Sequence, residues 1–214
     1  MRAAVVRAFG GPEVIEITNT CIPEITADQV LVRNFASGVN PIDTYLRSGL
    51  FPKLPQLPYS PGEDGAGVIE KIGENIKHLK VGDKVWYGAE SKSVSYSEGA
   101  CLGIPYLTAY RALFHVASAK AGDKIFVHGA SGGVGSALMQ FAAWKNIEAV
   151  GTAGSPGGID YVRGLGAKNV YDHSKEDYVS QLKKDYPKGF NYIFEMAAHI
   201  NLNKDLGLLA PHGK

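Results

Sequence analysis

The run from Lys124 to Trp144 restricts this chain more than any other stretch. Ile125, Phe126 and Val127 form a short apolar segment of the kind buried in a parallel sheet. His128 and Gly129-Ala130-Ser131-Gly132-Gly133-Val134-Gly135 come next, and Leu138, Met139, Phe141 and Ala142 then recur at helical spacing. Strand, glycine-rich turn and helix, in that order, form the context a dinucleotide fingerprint requires. Residues without a Cβ let backbone N–H groups approach a pyrophosphate, and the helix N-terminus adds partial positive charge there. The pattern is A-x-G-x-x-G, with Ala130 where the first glycine usually stands. The same glycines also suit a tight turn without a ligand; the flanking strand and helix favour a nucleotide.

The pattern continues downstream. Strands are expected near 125–128, 147–151, 168–171 and 191–195, with helices beginning near Gly132, Gly157 and Lys175 and a last one from about Asn201 to Leu209. This alternation predicts a doubly wound parallel sheet. A complete dinucleotide fold has about six strands, and four are readable here. The sheet is therefore expected to be C-terminally incomplete, with Ile193 and Phe194 on an open edge.

The upstream half is built differently. Apolar residues within 2–7 and 14–18 flank Phe9-Gly10-Gly11-Pro12 and predict a hairpin; Val30–Val32, Gly65–Gly73 and Val81–Trp86 predict further strands. Pro41 suits the first turn of a short helix, and Pro52, Pro55, Pro58 and Pro61 exclude regular helix between them. Residues 91–97 are polar without a strand period, and 99–114 read as helix in two pieces broken at Pro105. The expected organisation is a mostly-β, partly open barrel over 1–98, then the nucleotide-type domain over 99–214.

Composition narrows the class. With 45% hydrophobic and 20% charged residues the chain is of ordinary globular type, and a net charge of +1 gives no general attraction to nucleic acid or anionic membrane. No apolar run reaches membrane-spanning length. Cys21 and Cys101 lie far apart without metal-site spacing and read as reduced thiols of a cytoplasmic protein.

Several motifs together resemble the zinc-free quinone oxidoreductases of the medium-chain dehydrogenase/reductase superfamily, most closely the zeta-crystallin branch. They are Gly38-Val39-Asn40-Pro41, Tyr45-Leu46-Arg47-Ser48-Gly49, Pro61 through Ile69, Gly103 through Leu113, and Val127 through Gly135. The resemblance implies a GroES-like first domain and an incomplete Rossmann second domain. Compared with that family the chain reads as shortened by roughly twenty residues near 87–94, a length worth two or three strands, and as truncated at the C-terminus.

The resemblance also bears on metal. Zinc-dependent relatives place a Cys where Asn40 stands and a His in the motif that reads Gly62-Glu63-Asp64 here; two cysteines also exclude a four-cysteine site. No metal is expected. It further implies NADPH as hydride donor and a quinone or other conjugated acceptor. Independently, Gly151-Thr152-Ala153-Gly154-Ser155 has no acid in the region where an NAD-type fold binds the ribose 2′-hydroxyl. By resemblance, cofactor contacts fall on Tyr45, Ser131, Gly132, Gly133, Val134, Gly154, His173 and Asn201, with Thr108 near the nicotinamide. Asn40 and Tyr45 would flank the acceptor. Asp160 departs from the family, which often carries a phosphate-binding Lys there, and Arg163 is the nearby cation. His128 reads as a packed or hydrogen-bonded core residue rather than an acid–base catalyst.

Three functions remain open at this stage: an NADPH-dependent quinone oxidoreductase, a non-catalytic truncated relative that binds nucleotide or AU-rich mRNA, and an alkenal or enoyl reductase. The family resemblance implies homo-oligomers.

Overall fold

The computed structural model describes residues 1–87, 89–90 and 93–214, the side chains of 89 and 90 excepted. The expected shortening near 87–94 falls partly outside these residues. The chain forms two compact units, Met1–Ile104 and Pro105–Lys214.

In the first unit, β1 (Arg2–Val6) and β2 (Ile15–Asn19) make an antiparallel pair with Ala4 opposite Ile17. The strand β3 (Val30–Ser37) leads to α1 (Pro41–Ser48), whose first turn begins with Pro41 and whose end is Gly49 in the left-handed region at φ 78°. An antiparallel sheet in the order β3, β4 (Gly65–Ile72), β5 (Lys84–Trp86) and β6 (Ala89–Glu90) follows.

A short helix, α2 (Tyr96–Gly99), falls in the polar stretch that showed no strand period. The signal was present as a capping box: Ser95 Oγ accepts from the Glu98 N–H at 3.2 Å, and Glu98 Oε2 accepts from the Ser95 N–H at 2.8 Å. The helical break also differs from the expected one at Pro105. It lies at residues 100–102, and α3 (Gly103–Tyr110) runs through Pro105. Proline in a first helical turn removes an N–H that has no intrahelical partner, so it does not interrupt the helix there. A π-helical turn over Arg111–Val116 extends it.

The second unit alternates β7 (Lys124–Val127), α4 (Gly133–Trp144), β8 (Glu148–Ala153), α5 (Pro156–Gly164), β9 (Asn169–Asp172), α6 (Tyr178–Asp185), β10 (Tyr192–Phe194) and α7 (Ala198–Asp205). The strands form a parallel sheet in the order β10-β7-β8-β9. Side chains alternate across it. Ile125 and Val127 join Leu138, Met139 and Val162 on one face, and Phe126 joins Val150, Leu182 and Phe190 on the other. Ile125, Phe126 and Val127 have no exposed surface, as required of a strand covered on both sides.

The edge of β10 corrects a second expectation. The Ile193 N–H donates to the Lys214 carbonyl at 2.9 Å, the Lys214 N–H to Asn191, and the Ala210 N–H to Phe190. Phe194 is buried and Ile193 half-buried. Unpaired strand groups are costly away from water, and the segment 208–214 satisfies several of them without forming a fifth strand.

Candidate functional site

The turn after β7 is shaped from inside. Gly129 adopts φ 57°, and its N–H donates to Thr152 Oγ1 at 3.0 Å. The Ala130 N–H donates to the Thr152 carbonyl at 2.8 Å, tying the turn to β8. Gly135 packs so tightly that a Cβ there would stand 2.4 Å from the Gly129 carbonyl oxygen and 2.6 Å from Ala130 Cα. Ser131, Gly132 and Gly133 are exposed, while Val134 is half-buried. Gly132 is the N-cap of α4 and supplies no side-chain cap. The first helical N–H groups are thus left for an external acceptor, the electrostatic setting of a phosphate site.

At the C-terminal end of β8, a Cβ on Gly154 would stand 2.7 Å from His173 Nε2, so these two residues are in direct apposition. A Cβ on Gly158 would lie 3.1 Å from Ser155 Oγ and 3.4 Å from Ser131 Oγ, which brings those hydroxyls to one place. Ser155 caps α5 through its Oγ, which accepts from the Gly158 N–H at 3.2 Å. Arg163 is engaged with Asp160 at 3.2 Å, and both side chains are mostly exposed. Exposed pairs of this kind are weak and readily screened.

Thr108, on α3, lines an apolar groove of about 350 Å³ with Arg111, Val116, Tyr192, Ile193 and Lys214. Asn201 sits half-buried on α7.

In the first unit, Asn40 is the N-cap of α1 and is buried. Its N–H donates to Asp43 Oδ2 and its side-chain Nδ2 to Asp64 Oδ2, both at 2.8 Å. Asp64 was met in the sequence only as the residue beside a lost zinc ligand; here it is buried and also accepts from the Ile104 N–H at 3.0 Å. An amide nitrogen turned toward a carboxylate is a hydrogen-bond donor and is not available to a metal. Tyr45, one turn further along α1, is 51% exposed.

The described residues also bring His128, Glu195 and Asp205 together, with ligand-type atoms within 4.8 Å of one another. His128 Nε2 lies 2.7 Å from Asp205 Oδ1 and 3.3 Å from Glu195 Oε2. The shorter contact is a hydrogen bond; two atoms on one zinc, each at roughly 2.0–2.2 Å, stand farther apart than that. The carboxyl of Asp205 is pushed above the ordinary carboxylate range, first by burial and further by Glu195, against the opposing pull of His128. Sequence reading placed His128 in the core and missed both acids, which reach it from β10's end and from α7.

Known families match both units. The alcohol dehydrogenase GroES-like domain matches residues 26–161, and the zinc-binding dehydrogenase family matches residues 133–214. The quinone oxidoreductase of Homo sapiens is 42% identical over 235 positions, covering 100% of this chain and 71% of the human protein. The solved Escherichia coli quinone oxidoreductase complexed with NADPH superposes with a TM-score of 0.90 at 28% identity, covering 100% of this chain and 71% of that one. The Pseudomonas syringae quinone oxidoreductase gives a TM-score of 0.88 at 33% identity, covering 99% and 71%. A GroES-like unit followed by a parallel nucleotide-type sheet with an open glycine turn is a medium-chain dehydrogenase/reductase arrangement. The chain belongs to the quinone oxidoreductase family of that superfamily.

Proposed function

We propose that this chain is an NADPH-dependent quinone oxidoreductase. The observation that carries the reading is the α4 N-terminus, uncapped by any side chain and opening on the exposed Ser131-Gly132-Gly133 turn. Backbone N–H groups there suit a pyrophosphate, and the acid-free end of β8 at Gly154-Ser155 leaves room for a ribose 2′-phosphate. The NADPH complex of the Escherichia coli relative supports the same cofactor. When bound, that cofactor supplies a hydride from its nicotinamide; with a proton taken from solvent, the quinone becomes a hydroquinone and NADP⁺ is left.

In this reading Ser131, Gly132, Gly133 and Val134 hold the pyrophosphate, and Gly154 and His173 border the adenosine ribose. Asn201, Thr108 and Tyr45 complete the cofactor contacts, while Asn40 and Tyr45 flank the acceptor. The protein's contribution is orientation and exclusion of water, with no zinc at Asn40, Glu63 or Asp64. Residues 1–98 then serve the acceptor and 99–214 the nucleotide. A cytoplasmic location accords with two free, exposed cysteines. Homo-oligomers and AU-rich mRNA binding rest on the family resemblance alone. No helix among the described residues is long and apolar enough to cross a membrane.

The test is a fluorescence titration with NADPH and NADH, followed by NADPH oxidation with an ortho-quinone. Saturable, NADPH-preferring binding with quinone-dependent turnover is expected. Binding without turnover would leave a nucleotide-binding relative that is not an enzyme, and no saturable binding would remove the reading altogether.

A further inference from the structure

Asp64 stands just before β4 and gathers donors from two separate parts of the first unit. Its Oδ2 accepts from Asn40 Nδ2 at 2.8 Å, and its carboxylate accepts from the Ile104 N–H at 3.0 Å. Its surroundings allow it little movement. A Cβ on Gly38 would stand 2.8 Å from Asp64 Cβ, and one on Gly103 would stand 1.9 Å from Asp64 Oδ1. Both ends of the pair are buried, with Asp64 5% and Asn40 7% exposed. The Asn40 backbone is fixed as well, between the Asp43 carboxylate at its N–H and the Asp43 N–H at its carbonyl.

We propose that Asp64 is a positioning residue that sets the orientation of the Asn40 amide, an inference that rests on the assignment of Asn40 to the acceptor side. The chemistry is directional. Both Asp64 oxygens act as acceptors, toward Asn40 Nδ2 and the Ile104 N–H, so Asn40 turns its nitrogen toward Asp64 and would lose that bond by exchanging its N and O positions. An acceptor such as a quinone carbonyl therefore meets one amide orientation, fixed before it binds.

Asp64→Asn isolates this role. The substitution keeps the shape above Gly103 and retains an oxygen for the Ile104 N–H, but its own NH₂ lets the Asn40 amide turn over. The expected result is a loss of about ten- to a hundredfold in kcat/KM for the ortho-quinone. The NADPH dissociation constant and melting temperature stay close to those of the unsubstituted chain. In an Asn40→Ala background the same substitution should produce no further loss, because the group it orients is gone. A loss of equal size in that background, or an unchanged kcat/KM in the single variant, would overturn the proposal.

A second readout does not depend on turnover. The Asn40 side-chain amide protons, followed by nuclear magnetic resonance on ¹⁵N-labelled protein, should exchange slowly and lose that protection in Asp64→Asn. Equal exchange in the two proteins overturns the orienting role, even if the chain does not reduce quinones. Lack of turnover with the protection difference intact removes only the assignment of the enzyme activity.

Discussion

His128 Nε2 and Asp205 Oδ1, 77 residues apart in sequence, lie 2.7 Å apart in the interior of the second unit. The same nitrogen is 3.3 Å from Glu195 Oε2, so one imidazole edge faces two carboxylates. Glu195 is aimed by its other oxygen, which accepts from the Ala197 N–H. Among the described residues, neither Asp205 Oδ2 nor Glu195 Oε2 has a hydrogen-bond partner. Two anions repel at that distance, and burial, with Glu195 adding to it, raises the pKa of Asp205 against the pull of His128.

The sign of the resulting pH dependence follows by linkage. A carboxyl whose pKa is raised on folding contributes stability that is complete below its unfolded pKa and is lost as pH rises through the folded value. Asp205→Asn removes that titration. The melting temperature of the variant, relative to the parent, should therefore rise as pH increases above the ordinary carboxylate value of about 4. A change of about 2–4 °C corresponds to about 1 kcal/mol in a protein of this size. A difference that is flat with pH, or that falls, would count against the assignment.

Two glycines of one turn should fail in different ways. At Gly133 a Cβ would meet Pro105 Cγ at 3.3 Å and Pro105 Cβ at 3.5 Å, whereas at Gly135 it would strike the backbone of residues 129–130. Gly133→Val should weaken NADPH binding by tenfold or so while largely preserving the melt, because the cost falls on backbone approach to phosphate. Gly135→Ala should lower stability by about 1–3 kcal/mol through overpacking. Fluorescence titration and chemical denaturation separate the two effects; equal NADPH affinity for Gly133→Val and its parent would sink the turn assignment.

Asp160 lowers the positive potential that its neighbour Arg163 offers, through their 3.2 Å contact. Asp160→Lys should tighten NADPH by roughly fivefold and leave NADH nearly unchanged. The gain should shrink as salt rises, since both side chains are exposed and the charges are screened. Parallel titrations at low and high salt are decisive, and an equal gain for both nucleotides would place residue 160 away from the 2′-phosphate.

The β10 edge yields a prediction opposite to that of an open strand. The Ile193 N–H, bonded to the Lys214 carbonyl, should exchange slowly with solvent deuterium. Removing residues 209–214 should abolish that protection and expose the apolar groove beside Tyr192. Rapid exchange of Ile193 in the intact chain would show that the terminal segment does not hold.

The residues differed in what they disclosed. Ile125–Val127, the glycine turn and the helix after it were legible because strand burial, turn sterics and helical period are all local properties. Proline at 105 misled, because its effect depends on whether it falls in the first turn or the interior of a helix, and at the start of α3 it is the distant Asp64 carboxylate that accepts from the Ile104 N–H. The helix at 96–99 was marked by Ser95 and Glu98 and was overlooked for its polarity. Asp64 with Asn40, Asp205 with His128, and Lys214 with Ile193 were not legible at all. Each depends on chain segments brought together only by the finished fold, and no local pattern encodes their meeting.

The packing of Gly135 against Gly129 and Ala130 bears on how ligands are told apart. The loop's shape is imposed by its own interior, so the ordering of those backbone groups is accomplished during folding rather than at the moment of association. Little conformational entropy then remains to be lost when a pyrophosphate arrives, and any dinucleotide gains the same favourable term. Discrimination between nucleotides must consequently arise elsewhere, and Gly154 and Ser155, both exposed at the end of β8, can change without disturbing the sheet beneath them.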